Sequence, residues 1–256
     1  MRRFYIAADR IALAEPTITG PDVHHIRKVL RLRPGAEVVL CDGEGHDYRA
    51  RIVATERDRV RVAVIEAITN FSESALSLTL AQAYLKGKKM DLLVRQLTEL
   101  GITRWSPFIA RRSVPAPDKK KMAARRRRWQ KISLEAIKQC GRSRAMLIDP
   151  LVSFEDNLTR AQACELKLIF WEEYLAAKPL NELCVGNPAS LFLMIGPEGG
   201  FSDQEVARAQ EAGFEAVSMG PRVLRTETAA LAAGVMVQMV FGDMHKNILD
   251  NPHTVL

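Results

Sequence analysis

The sequence predicts an α/β protein of two domains, in which a small β-rich domain precedes a larger domain built on a parallel sheet. Residues 2–68 contain short alternating or β-branched runs, which are typical of strands. Beyond the polar segment 69–75, which has the composition of a linker, apolar runs alternate with helical patterns. The chain has 256 residues, 47% of them hydrophobic, so it is long enough to bury a substantial core.

The first domain is predicted to be a small β-barrel or sandwich with one helix. The stretch "EVVLCDGEGHDYRARIVATERDRVRVAVIEAI" holds several short strands, and it is broken at Asp42–Gly45 and at Glu56–Asp58. A helix is expected from about Asp22 to Arg31 within "PDVHHIRKVLRLRPG", where Pro34-Gly35 is the stop signal.

The second domain repeats the order strand, helix, strand. Its strand-like runs are "LSLTLAQAYL", "ITRWSPFIA", "LKLIFW", "SLFLMI" and "FEAVSM". The helical pattern "KMDLLVRQLTELG" ends at Gly101, and a long basic helix is expected from about Lys119 to Gln139. Strands that alternate with helices form βαβ units, so we expect a parallel sheet covered on both faces.

The composition indicates a cytoplasmic protein with a polyanionic partner. The formal net charge is +7 and the pI is about 9.4, and a positive domain attracts phosphates. No apolar run approaches the roughly 18–20 residues of a membrane helix, and "MRRFYIAADR" has no signal core. The cysteines are widely spaced without a CxxC pair, which predicts reduced thiols and no metal site. They are Cys41, Cys140, Cys164 and Cys184.

The long basic helix is the strongest candidate for contact with a nucleic acid. It carries the run "KKKMAARRRRWQK". We predict RNA contacts from Arg125 and Arg126, and from Arg142 and Arg144 just beyond the helix. Four consecutive arginines point around more than half of a helix, so they do not all face one partner. A solvated basic face is the alternative.

Two similar turns follow two of the predicted strands. "IGPEGGFSDQEV" begins at Ile195, and "MGPRVLRTETAALAAG" begins at Met219. In an open parallel sheet, ligands bind beyond the carboxyl ends of the strands, which is where both turns lie. The sequence therefore predicts a ligand site at the two turns. The alternative is a pair of tight connections without a ligand.

The first turn offers bare backbone to a ligand. Gly199 and Gly200 allow a positive φ and a close approach, while Ser202 and Glu205 form a capping box that starts the next helix. The turn has neither Gly-Lys-Ser/Thr nor GxGxxG, and the carboxylate of Glu198 would repel a phosphate. A ligand that is neutral or cationic where it meets the loop is expected.

Both turns closely resemble the signature of the bacterial small-subunit rRNA (uracil-N3)-methyltransferases of the SPOUT class. "HHIRKVLRLRPG", "LTELGI" and "RWQKISLEAIKQCGR" match in the same order, so the resemblance covers almost the whole chain. One departure is Gln96, where that family usually has a lysine.

The resemblance implies a PUA-like β-barrel that binds RNA over residues 1–70. Over residues 75–256 it implies a SPOUT methyltransferase domain with a deep trefoil knot. It also implies a homodimer and S-adenosyl-L-methionine (S-adenosylmethionine) as the cofactor. The residues implied for the cofactor pocket are Phe170, Trp171, Ile195, Gly196, Gly199, Gly200, Met219, Gly220, Leu224 and Thr228.

The implied reaction is methylation of N3 of a uridine in 16S rRNA, in the assembled 30S subunit. Loss of the N3 proton leaves negative charge on the base, and the fixed guanidinium of Arg225 is expected to stabilise it. Arg222 is the second choice for this role, and we also assign it to RNA contact. A salt bridge from Arg225 to Glu227 or Glu198 is the structural alternative. Glu198 is either the base or a residue that orients the loop.

Two other functions remain possible on the sequence. A non-catalytic RNA-binding protein would have no need to keep Gly199, Gly200 and Arg225. A nucleotide-dependent enzyme fits poorly, because the phosphate-loop lysine is missing and Glu198 is acidic.

Overall fold

The structure is a computed structural model that describes residues 1–113, 118–172, 178–180, 183 and 186–245, with backbone alone for residues 178 and 179. The chain forms two compact units. The first comprises Met1–Glu73 with Leu134–Ala145, and the second comprises Ser74–Ser133 with Met146–Leu256.

The first unit contains one five-stranded sheet. Its strands are β1 (Arg3–Tyr5), β2 (Thr17–Thr19), β3 (Glu37–Cys41), β4 (Asp47–Thr55) and β5 (Arg59–Ile68). The order is β1-β3-β4-β5-β2, with β1 parallel to β3 and the other pairs antiparallel. Phe4 of one edge strand and Ile18 of the other belong to the same buried core, so the sheet curves around it.

The helix predicted over Asp22–Arg31 consists of two consecutive segments of different helix type. After the short α1 (Ala8–Ile11), α2 (Pro21–His24) continues as a π-helical turn over His25–Val29. Arg31 then has φ 52°, in the left-handed region, which ends the helix before the Pro34-Gly35 signal.

The second unit contains a sheet in which every described pair of strands is parallel, so the predicted parallel sheet is confirmed. The strand order is β11-β13-β10-β12-β6-β7-β8, and β9 also pairs with β7. The strands are β6 (Ser77–Ala83), β7 (Arg104–Ile109), β8 (Leu147–Ile148), β9 (Val152–Ser153), β10 (Leu166–Phe170), β11 (Lys178–Pro179), β12 (Ser190–Ile195) and β13 (Glu215–Ser218). The helices are α3 (Lys89–Glu99), α4 (Lys119–Cys140), α5 (Phe154–Ala161), α6 (Asp203–Glu211) and α7 (Thr226–Val240).

Helices cover both faces of this sheet, as predicted. Along β12, Leu191 and Leu193 face one core, which α3, α4 and α7 cover, while Phe192 and Met194 face a second core, which α5 and α6 cover. Side chains on successive strand residues point to opposite faces, so a continuous apolar run supplies two cores.

None of the helices in the described part of the chain combines the length and the apolar composition that a membrane-spanning helix needs. Within the same residues, no cluster of three His, Cys, Asp or Glu side chains could hold a metal ion. Cys41 and Cys164 are free thiols, and Cys184 lies outside the described residues.

Candidate active site

A cavity of about 390 Å³ opens at the carboxyl ends of β10, β12 and β13. The register places these ends level, because Phe170 pairs with Ile195 on one side and with Val217 on the other. The two loops predicted from the glycine-proline motifs follow β12 and β13 and form much of the wall. The predicted residues in the wall are Phe170, Trp171, Ile195, Gly196, Gly200, Met219, Gly220 and Leu224.

Two of the predicted cofactor residues lie outside this wall. A Cβ on Gly199 would meet the Cβ of Arg112 at 3.2 Å, and Arg112 Nη1 donates to the Gly199 carbonyl at 2.9 Å. Thr228 is exposed on α7, whereas Thr226, two residues earlier, is buried and lines the cavity. Two residues turn a helix by about 200°, which separates their directions.

Gly200 is the position in the first loop that requires glycine. It has φ 68°, a left-handed backbone conformation that residues other than glycine rarely adopt. A Cβ there would also overlap the carboxylate of Glu172, which lies just after β10 and lines the cavity. The resemblance implied its neighbours Phe170 and Trp171 as pocket residues, but not Glu172 itself.

The capping box predicted at the start of α6 is confirmed. The Ser202 hydroxyl accepts from the backbone N–H of Glu205, and the Glu205 carboxylate accepts from the backbone N–H of Ser202 at 2.9 Å. The other oxygen of Glu205 accepts from the backbone N–H of Arg111 at 2.8 Å. The buried carboxylate therefore ties the first loop to the segment that follows β7.

Lys89 links the two loops at the rim of the cavity. Its Nζ lies 3.2 Å from Glu198 Oε1 and 3.2 Å from Glu227 Oε2. Burial would lower the pKa of Lys89, but the hydrogen bonds with both carboxylates outweigh burial and raise the pKa. Burial would raise the pKa of Glu227, but its own backbone N–H and Lys89 lower it. Sequence reasoning missed Lys89, because no local pattern marks it.

Arg225 has no ion-pair partner among the described residues. Its side chain is exposed and lines the cavity at the start of α7. The predicted alternative, a salt bridge to Glu227 or Glu198, does not form within the described part of the chain, where Lys89 pairs with both carboxylates. Arg222 is likewise exposed and in the cavity wall. Two guanidinium groups are therefore available to a ligand.

The arginines of α4 divide into inward and outward sets. Arg125 donates to the hydroxyl of Tyr84 and lies over its ring, 5.7 Å from the centroid. Arg126 Nε donates to the Ile148 carbonyl at 2.8 Å. Both side chains are half-buried, so neither is a simple solvent-facing cation. The exposed basic residues directly opposite the buried face of α4 are Lys120, Arg127 and Lys131.

Arg142 and Arg144 differ in burial. Arg142 is 2% exposed and its guanidinium pairs with Glu73 at 3.0 Å, so the predicted RNA contact does not fit this side chain. Arg144 is exposed, and its Nε donates to the Glu44 carbonyl at 3.3 Å. Both residues were predicted to have the same role, because no local pattern in the sequence indicates which of them pairs with Glu73 and is buried.

The chain matches two domain families of RNA-modifying proteins. Residues 72–238 match the RNA methyltransferase domain, and residues 18–65 match the RNA methyltransferase PUA domain. Fold and site thus define an RNA methyltransferase with a PUA domain before the catalytic domain. The chain belongs to the ribosomal RNA small subunit methyltransferase E family, which confirms the resemblance seen in the two motifs.

Relatives match over nearly the full length. The Bacillus subtilis ribosomal RNA small subunit methyltransferase E is 33% identical over 91% of this chain and 94% of its own length. The Neisseria gonorrhoeae enzyme of the same name, solved with S-adenosyl methionine, is 34% identical with a TM-score of 0.83, covering 95% of this chain and 99% of its own. A Legionella pneumophila protein solved with the same cofactor is 33% identical with a TM-score of 0.83, covering 94% and 98%.

Proposed function

We propose that this protein transfers a methyl group from S-adenosylmethionine to N3 of a uridine in 16S rRNA of the small ribosomal subunit. The observation that carries the proposal is the cavity that the two glycine-proline loops form at level strand ends, in a chain of this family. The cytoplasm, where ribosomal subunits are found, is the corresponding location.

The cavity fits the chemistry of S-adenosylmethionine. Its volume of about 390 Å³ lies in the usual range of small-molecule sites. Ile195 and Leu224 supply apolar walls for a base, and the loop around Gly196 supplies backbone groups. The carboxylate of Glu172 in the cavity wall favours a cationic ligand such as a sulfonium. When bound, the cofactor supplies the electrophilic methyl group.

Arg225 is the residue that we propose to stabilise the uracil anion. Uracil N3 becomes a good nucleophile once its proton leaves, and charge then spreads to O2 and O4 of the base. A guanidinium presents forked donors to such a planar acceptor and stays charged at any physiological pH. Since Lys89 holds both nearby glutamates, the charge of Arg225 is not already neutralised.

Glu198 is better suited to orient the loop than to act as a base. Its carboxylate is paired with Lys89 at 3.2 Å, so it is already engaged with a cation of the protein at the rim of the cavity. We therefore propose that Glu198 and Lys89 together hold the first loop against α3.

RNA binding is proposed for the first domain, residues 1–70, and for the outer stripe of α4. N3 lies on the Watson–Crick edge, so the uridine must be unpaired or flipped out, and recognition depends on backbone contacts and splayed bases. Lys120, Arg127 and Lys131 are exposed on one face of α4 and can meet phosphates. Arg222 at the cavity mouth is a candidate for contact next to the target base.

A trefoil knot and a homodimer complete the proposal. After β13 the chain reaches Thr226, which bonds to Gly196 beyond β12, so the segment 219–225 passes the ends of β10 and β12. Such a crossing supports a knotted path. Exposed Met239 and Val240 near the end of α7 support an interface with a second copy.

The experiment that tests the function is methyl transfer from labelled S-adenosylmethionine to small subunits isolated from cells that lack this enzyme. We expect one methyl group per subunit, recovered as N3-methyluridine after digestion and mass spectrometry. Free 16S rRNA in a parallel reaction distinguishes the assembled subunit from naked RNA as substrate. Methylation at another atom would overturn the N3 assignment, and RNA binding without any transfer would support the non-catalytic alternative.

A further inference from the structure

Gln82 is a fully buried amide at the end of β6, next to the candidate active site. It is 0% exposed, and the sheet register places it opposite Ile195, the last residue of β12. Its Nε2 lies 3.1 Å from the Ala83 carbonyl, 3.3 Å from the Gly196 carbonyl and 3.1 Å from Thr226 Oγ1. One amide group thus reaches the start of the first loop, at Gly196, and the end of the second loop, at Thr226.

Thr226 completes the contact between the two loops. Its hydroxyl accepts from Gln82 and donates to the Gly196 carbonyl at 2.6 Å. Thr226 is buried at the first position of α7, directly after Arg225, and Gly196 is the first residue after β12. The hydrogen bonds therefore fix the beginning of α7 to the end of β12 at the floor of the cavity.

We propose that Gln82 and Thr226 are positioning residues that hold the two loops, and with them Arg225, in the arrangement needed for methyl transfer. This pair is called the amide latch here. The inference rests on the proposed function for its consequence in catalysis, whereas its structural part does not depend on the identity of the ligand. Neither residue is expected to touch the reacting atoms.

A purely stabilising role for Gln82 fits its hydrogen bonds poorly. Its Oε1 is buried and has no hydrogen-bond partner among the described residues. A buried acceptor without a partner is unfavourable, so an apolar side chain would satisfy the fold of this strand at least as well. The role that we infer for the amide is therefore to connect the two loops through its nitrogen.

The latch is tested first without ligand, by hydrogen exchange of the full-length protein. Thr226→Val removes the hydroxyl with little change in shape, and Thr226→Ser keeps it. We expect Thr226→Val to speed amide hydrogen exchange at Gly200 in the first loop and at Ala229 in α7 by about tenfold or more. We expect Thr226→Ser to exchange at the wild-type rate at both positions. Should Thr226→Val not fold, Gln82→Met makes the same test.

Gln238 provides the matched control. It is also a fully buried glutamine of the second unit, and its amide joins Leu100 and Ser74, away from the cavity. Gln238→Met is expected to lower the melting temperature but to leave exchange at Gly200 unchanged. Equal exchange at Gly200 in Gln82→Met, Gln238→Met and the wild type would overturn the latch.

The catalytic consequence is measured by calorimetry and single-turnover methylation. We expect Thr226→Val to weaken S-adenosylmethionine binding by about tenfold, equivalent to about 1.4 kcal/mol, and to slow transfer at saturating cofactor. Thr226→Ser should recover both. A wild type that binds no S-adenosylmethionine would refute the proposed function, while the exchange data would still decide the latch. Loosened loops with unchanged affinity and rate would refute the positioning role.

Discussion

At the scale of single residues, the site depends on how a few charges are shared at its rim. Lys89 lies within 3.2 Å of two carboxylates, Glu198 and Glu227, and so satisfies both with one cation. This arrangement leaves Arg225 without an ion pair among the described residues, although it lies two positions before Glu227. A guanidinium that is not already neutralised can respond fully to charge that develops on a substrate.

Arg225→Ala is therefore expected to slow methyl transfer while S-adenosylmethionine binding and the melting temperature stay nearly intact. Loss of one fixed donor to an anion costs about 10²–10³ in rate. Arg225→Lys keeps the charge but loses the fork, so it should recover part of the rate. Single-turnover methylation with parallel thermal melts measures both effects. Arg95→Ala, on the exposed side of α3 and outside the cavity wall, is the control.

A normal rate for a folded Arg225→Ala enzyme would exclude Arg225 from catalysis. A joint fall in melting temperature and cofactor affinity would instead indicate that Arg225 supports the loop.

Substitution by alanine should affect cofactor affinity differently at the two adjacent glycines of the first loop. Gly200→Ala requires an alanine in a left-handed backbone conformation and places its Cβ against the Glu172 carboxylate. We therefore expect cofactor affinity to fall more than tenfold. Gly199 has no positive φ and lies outside the cavity wall, and the Cβ of Gly199→Ala meets the Cβ of Arg112 at 3.2 Å. A shift of a few tenths of an ångström between the two segments relieves this contact, so affinity should change less than twofold. Calorimetric titration of both variants makes the comparison. The opposite order of affinities would show that Gly199 faces the ligand.

At the scale of elements, α4 shows how one helix divides its charges between packing and solvent. Trp129 is buried and donates to Asp91 at 2.9 Å, and Arg128 pairs with the same carboxylate at 2.8 Å. Since the helix turns by 100° per residue, the side opposite Trp129 carries a different set of basic residues. Lys120, Arg127 and Lys131 form this outer stripe.

Replacing the outer stripe with glutamine should weaken rRNA binding and reduce its salt dependence. Each lost phosphate contact lowers the slope by up to about one, so three contacts lower it by about two to three. The paired variant Arg125→Gln with Arg126→Gln removes two charges whose hydrogen bonds are made within the protein. It should lower the melting temperature and change the slope of the salt dependence little. Binding measured over a series of salt concentrations tests both. An unchanged slope in the stripe variant would identify the stripe as a solvated face.

At the scale of the whole molecule, ligand binding at the crevice should stabilise the second unit. The cavity joins segments that follow three different strands, so a ligand there resists their separation. Binding to the folded state alone adds about 2.7 kcal/mol at a ligand concentration of 100 Kd.

We expect S-adenosylmethionine at that concentration to raise the melting temperature by about 5–10 °C, and ATP to leave it unchanged. ATP is the matched control, because it shares the adenosine group but lacks the cationic sulfonium that the Glu172 carboxylate favours. Differential scanning fluorimetry measures the shift, and Gly200→Ala should reduce it. An equal shift with ATP would favour a nucleotide-dependent enzyme.

The sequence by itself determined the longer elements and the two loops of this protein. The periods of apolar residues predicted β6, β7, β10, β12 and β13 of the parallel sheet and the extent of α4, and Ser202 with Glu205 predicted the start of α6. The two-residue strands β8, β9 and β11 were not predicted. These features depend on hydrogen bonds and side-chain directions within a few residues, so short segments of sequence encode them. The family motifs then identified the strand ends at which the cavity forms.

The tertiary structure alone decided which side chains meet at the site. Lys89 reaches Glu198, 109 positions away, only because β6 and β12 are neighbours in the sheet. In the same way, Glu73 buries Arg142 but leaves Arg144 exposed, and Gln82 reaches Thr226. Such contacts depend on strand order and on the rotation of each helix about its axis. Neither is written in the residues next to the side chain concerned, because packing over the whole domain sets both.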